Sequence, residues 1–159
     1  MSTIVIRVLG LLPALLGSSG LAATTSPLFA RGYTVIPAPQ KVSLGTKDFE
    51  FTRAWRLELG PGVKPDDISL QSLKEELQER FHLTLGVSGS AAGVVHLAVA
   101  PSAVKIGTAQ DTNKSALTEQ AYRMDLASDR VTITGNTTTG VFYGVQTLVQ
   151  LLKLESGKL

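Results

Sequence analysis

Two histidines, thirteen side-chain carboxylates and no cysteine are the raw material for reactive chemistry in this 159-residue chain. Acid–base hydrolysis needs two carboxylates, or a carboxylate and an imidazole, converging on one bond. Glu75 and Glu76 are adjacent in a helical pattern, so their side chains diverge. Glu75 and Glu79 share a helical face, which is the ordinary surface of a solvated helix. Asp125 and Asp129 bracket a turn, where aspartate is a structural residue. His82 follows the helix and His96 sits in a strand; no His-Glu-x-x-His spacing is present, which argues against a zinc site. Serines and threonines abound without a Gly-x-Ser-x-Gly elbow. The lack of cysteine removes thiolate catalysis, disulfides and cysteine–metal sites together. Trp55 is the only tryptophan, and it makes a poor sugar platform unless Tyr33, Tyr122 or Tyr143 joins it. Packing is its expected role. Asn113-Lys114-Ser115 and Asn136-Thr137-Thr138 fit the glycosylation pattern, which matters only in a eukaryotic host. No catalytic residue, cofactor-binding residue or metal ligand is expected here.

The elements that would position any site follow from periodicity. From Asp66 the apolar residues Leu70, Leu73, Leu77 and Phe81 keep a three-to-four spacing, with Ile68 ahead of them and Asp66 and Asp67 placed to cap. This is a surface helix. A second helix is expected over Thr138–Leu152, with Val141, Val145, Leu148, Val149 and Leu152 on one stripe. Gly140 and Gly144 weaken it by about 1 kcal/mol each relative to alanine, tolerable where a backbone must approach a sheet closely. Strands are expected at Phe49–Phe51, Trp55–Leu59 and Val94–Ala100, the last strongly apolar and central. Tyr122, Met124 and Leu126, then Val131 and Ile133, alternate with polar residues across a Ser128–Asp129 turn, the pattern of a hairpin. Val35–Ile36 and Lys41–Leu44 are β-prone but broken by Pro37 and Pro39, which suits an edge strand or a bent extended run. Residues 101–118 carry no period and read as a long connection. The expected fold is α+β: an antiparallel or mixed β-sheet with two α-helices packed on one face.

The N-terminus resembles a secretory signal: an apolar run, Val8–Leu16, then small residues ending at Ala23. Pro13 and the shortness of the run argue against a membrane span, which needs roughly 20 apolar residues. Cleavage after Ala22 or Ala23 is expected, and with it a secreted or periplasmic location. Removing 22 residues from 159 leaves 137, one domain's worth. It also removes Arg7, leaving 14 basic against 13 acidic residues, a balance that argues against nucleic acid. The expected division is leader 1–22, flexible lead-in 23–32, folded domain 33–153 and link 154–159.

Two segments carry a family resemblance. Val35–Gly45 (VIPAPQKVSLG) resembles the opening strand of the N-terminal, non-catalytic domain of family-20 glycoside hydrolases, the β-N-acetylhexosaminidases. Glu119–Leu152 (EQAYRMDLASDRVTITGNTTTGVFYGVQTLVQLL) is similar to that domain's closing hairpin and helix. Related domains also precede other glycosidase barrels, those of α-glucuronidases among them. The resemblance implies an accessory domain leading into a (β/α)₈ barrel, where an Asp–Glu pair performs substrate-assisted hydrolysis and releases terminal N-acetylhexosamine. None of those barrel residues has a counterpart in this sequence, so the chain alone is expected to be inactive. The alternative is a free-standing exported module that binds carbohydrate or protein; a third possibility is a truncated gene product. In the final helix, Tyr143, Gln146 and Gln150 lie off the core stripe and are the candidate surface for docking a barrel, downstream or in trans.

Overall fold

The most apolar strand lies inside the sheet. In the computed structural model, which describes residues 4–6, 26–45, 49–86, 89–107 and 113–153, β4 (Gly93–Val99) lies between two parallel neighbours. These are β3 (Trp55–Leu59) and β6 (Arg130–Gly135); β5 (Tyr122–Leu126) closes the order β3-β4-β6-β5 antiparallel to β6. The sheet is therefore mixed, and the β5–β6 hairpin is the one expected from its alternation. A short antiparallel pair, β1 (Ile4–Ile6) with β2 (Phe49–Phe51), stands apart from it. Those three residues are the only described part of the expected leader.

One face of the four-stranded sheet carries the core. Trp55, Leu57, Val95, Leu97, Val131 and Ile133 are buried there against two long helices, α2 (Ile68–Phe81) and α4 (Thr138–Leu151). Each helix follows the C-terminal end of a parallel strand and returns along the sheet, so the two run parallel to each other. Asp67 caps α2, its carboxylate accepting from the Ser69 N–H at 3.2 Å and hydroxyl at 2.9 Å, which satisfies an orphan donor of the first turn. Leu70, Leu73, Leu77 and Phe81 are buried as their spacing requires. Ile68 is 61% exposed, because a step of two residues to Leu70 places it off the buried face.

The glycines of α4 sit where they set the distance to the sheet. A Cβ on Gly144 would lie 2.4 Å from Cγ2 of Ile133, and one on Gly140 would lie 2.5 Å from the Ala121 carbonyl oxygen. Both approaches are closer than any side chain permits. The helix accepts weaker propensity in exchange for contact along its whole buried stripe.

One segment differs from expectation, and two take forms that the expectation left open. The connection 101–118 ends in a helix, α3 (Lys114–Gln120), capped by the Asn113 side chain on the Ala116 N–H at 3.1 Å. It buries no residue completely, so it left no apolar period to read. A single turn, α1 (Pro27–Ala30), interrupts the lead-in expected to be flexible, with proline in its first turn and Leu28 packed against the core. Residues 33–45 contain no strand; Tyr33 and Val35 point inward and Thr34 and Ile36 outward, an extended alternation without a ladder. Pro37 and Pro39 have no donors to offer one. The link 154–159 lies outside the described residues, as does most of the leader. Among the described residues, no helix is long and apolar enough to cross a membrane.

Candidate functional site

The residues singled out for chemistry are dispersed by the fold. His82 is the left-handed cap of α2 (φ 51°), with its N–H on the Gln78 carbonyl and its own carbonyl accepting from Arg53 Nη2 at 3.3 Å. It ends a helix. Glu75 and Glu79 lie on the exposed side of α2, and Glu76 pairs with Arg80 at 3.5 Å, one turn on. Trp55 is buried, its indole N–H donating to the Glu50 carbonyl at 2.9 Å and its ring 4.8 Å from that of Phe51. Gly93 lies beneath that ring, where a Cβ would come within 2.3 Å. Trp55 is a core residue and presents no sugar platform. Among the described residues, no group of three histidines and carboxylates could hold a metal ion.

The helix-free face of the sheet collects charge that the sequence did not connect. Strand register places Glu58, His96, Thr132 and Asp125 in one row across β3, β4, β6 and β5. His96 Nδ1 is 3.0 Å from Glu58 Oε1, Arg130 Nη1 is 3.7 Å from the same oxygen, and Arg56 Nη2 is 3.4 Å from Oε2. Both carboxylate oxygens are thus engaged by cations or an imidazole, an arrangement that ties three strands together. Glu58 and His96 are 38 residues apart. Only the parallel pairing of β3 with β4 brings them together, and neither residue belongs to a local motif. On β5, Asp125 holds the Arg123 guanidinium above its ordinary value, first by hydrogen bond and then by charge, with contacts of 2.8–3.1 Å. An arginine made still more basic stays charged across any working pH, so it offers no proton for chemistry.

Asn136 is a buried polar residue that sequence reasoning read only as part of a glycosylation pattern. Its Nδ2 donates to the carbonyls of Val104 (2.8 Å) and Thr118 (2.9 Å), and its Oδ1 accepts from the Val104 N–H (2.8 Å). With 4% exposure and its amide committed, it clamps the 101–107 connection and the end of α3 to the start of α4. Asn113 is exposed at the N-terminus of α3.

Tyr143, Gln146 and Gln150 fall on one stripe of α4, opposite the core. Tyr143 is 37% exposed, its ring 5.9 Å from that of Phe142. The two amides already have partners inside the domain. Gln146 Nε2 donates to Ser72 Oγ of α2 at 2.8 Å. Gln150 accepts from the Ile36 N–H at 2.9 Å and donates to the Ile36 carbonyl at 3.1 Å. The stripe therefore offers one amphipathic ring; Ile36 and Ile68 are exposed as well.

Residues 32–158 match the family model described as glycosyl hydrolase family 20, domain 2. Among solved structures, a GH20 exo-β-N-acetylglucosaminidase from Vibrio harveyi, in complex with N-acetylglucosamine, is similar at 22% identity with a TM-score of 0.57. The match covers 78% of this chain and 17% of that one. A chitobiase from Flavobacterium johnsoniae is similar at 19% identity and a TM-score of 0.57, over 80% of this chain and 19% of its own. At such identities the likeness is one of fold. No curated protein sequence matches the chain.

Proposed function

The chain belongs to glycosyl hydrolase family 20, through that family's domain 2, and from this premise we propose that it is the accessory, non-catalytic domain of an exported β-N-acetylhexosaminidase. The observation that carries the reading is the family match over residues 32–158. His82 and Glu76 serve structural contacts in and around α2, and Glu58 pairs with His96 and with arginines on the sheet face, which fits an accessory role. The reaction, release of terminal N-acetylhexosamine, belongs to a (β/α)₈ barrel encoded downstream or supplied in trans. Export rests on the apolar run Val8–Leu16 and the small residues that follow it. Cleavage after Ala22 or Ala23 would also remove β1 and leave the four-stranded sheet whole.

Purified chain is expected to show no hydrolysis of an aryl N-acetyl-β-glucosaminide above the uncatalysed rate. Turnover that disappeared on substituting a residue of this chain, Glu58 or His96 first, would overturn the reading.

The barrel-facing surface is the outer stripe of α4. Tyr143 can bury its ring there and keep its hydroxyl wet, as half-polar domain interfaces favour. Gln146 and Gln150 support that surface from within, through Ser72 and Ile36. Tyr143→Ser is expected to leave the isolated domain's denaturant midpoint nearly unchanged while weakening its binding to a family-20 barrel about tenfold or more, the scale of a modest interface anchor. Titration calorimetry checks this, and tight binding indifferent to Tyr143 would move the interface to the charged sheet face.

A further inference from the structure

The segment from Gly32 to Gly45 has neither helix nor strand, yet its first residues are tied to the end of α4. Tyr33 and Val35 are buried, while Ile36 beside them is 73% exposed. The Gln150 amide meets both the N–H and the carbonyl of Ile36, taking the place of a neighbouring strand's backbone. The Lys153 ammonium donates to the Gly32 carbonyl oxygen and stands 4.0 Å from the centroid of the Tyr33 ring, a cation–π contact. These four contacts come from two residues, one in the last turn of α4 and one where the chain leaves it; the Tyr33 N–H also donates to the Leu28 carbonyl at 2.9 Å. Further along, single bonds of 3.2 Å hold the segment, from the Gly107 N–H to Gln40 Oε1 and from Arg31 Nη1 to the Gly45 carbonyl.

We infer that residues 32–45 form a strap closed by Gln150 and Lys153, which opens as a unit without unfolding the sheet when those contacts are lost. A segment with few buried side chains and no ladder opens at lower free energy than the strands beside it. Opening uncovers Tyr33 and Val35 and releases the Ile36 backbone from the Gln150 amide. The strap is a property of this chain alone and does not depend on the accessory-domain reading.

Amide hydrogen exchange on the full chain tests it, using Gln150→Ala, Lys153→Met and the pair. The Ile36 amide is expected to exchange roughly tenfold faster in each single variant, the scale of one net hydrogen bond, and faster again in the pair. Amides of β4 and β6 should keep their wild-type rates. Lys153→Arg, which retains charge and donor, should restore protection. An Ile36 rate unchanged in the pair would overturn the proposal, and so would acceleration of the strap and the sheet together, since the strap would then be no separate unit. Should the alanine variant fold poorly, Gln150→Glu serves in its place: it keeps the acceptor for the Ile36 N–H, loses the donor to the carbonyl, and should give an intermediate rate.

Discussion

Leu148→Ala and Leu73→Ala are each expected to lower the free energy of unfolding by about 2–5 kcal/mol, read from urea or guanidinium denaturation. Both side chains are fully buried, Leu148 on the inner stripe of α4 and Leu73 on that of α2, within one core cluster. The two sites should differ. The α4 backbone already rests on the sheet at Gly140 and Gly144, so it cannot sink further to fill the space that Leu148 leaves. Its loss belongs in the upper half of the range. Leu73 lies on a helix without such contacts, which can shift to close part of the cavity, so its cost belongs in the lower half. Changes below about half a kcal/mol at both sites would mean the helical faces are assigned wrongly.

Asn136→Ala should cost about 2–3 kcal/mol, out of proportion to the few atoms removed. It strips partners from the Val104 N–H, the Val104 carbonyl and the Thr118 carbonyl at once. Val104 is only partly buried, so water will replace some of what is lost; this keeps the figure below three full desolvation penalties. Asn136→Asp keeps the acceptor for the Val104 N–H but loses both donors, so it should also destabilise. Faster amide exchange at Val104, with the β4 amides unchanged, would accompany either substitution. A neutral Asn136→Ala would mean that the 101–107 connection is held by something other than this side chain.

Much of the architecture was legible because it is written in short-range periodicity. The spacing Leu70-Leu73-Leu77-Phe81 requires a helix with one dry face, and Asp67 caps it where the sequence places a carboxylate. The alternation from Tyr122 to Ile133 requires a hairpin, and the strongly apolar β4, interrupted only by His96, suits a strand paired on both edges. The roles of Gly140 and Gly144 were readable as close approach, because glycine inside a helix otherwise lowers its stability without return.

What escaped the sequence is what depends on partners far along the chain. α3 buries no residue completely, so no period announces it, and its cap is a single asparagine among polar neighbours. Between Tyr33 and Leu44 the extended run, and not the edge strand, is what forms, and the partner of the Ile36 backbone is a glutamine 114 residues away. Tertiary structure alone joins Glu58 to His96 and Arg130, since register between parallel strands is set by the core beneath them and not by the charged residues above. It also gave Gln146 and Gln150 work inside the domain, leaving Tyr143 as the free member of a stripe that the sequence could define only by exclusion from the core. Local patterns encode which face of an element is dry; what a polar side chain on the other face meets is decided only when the elements pack.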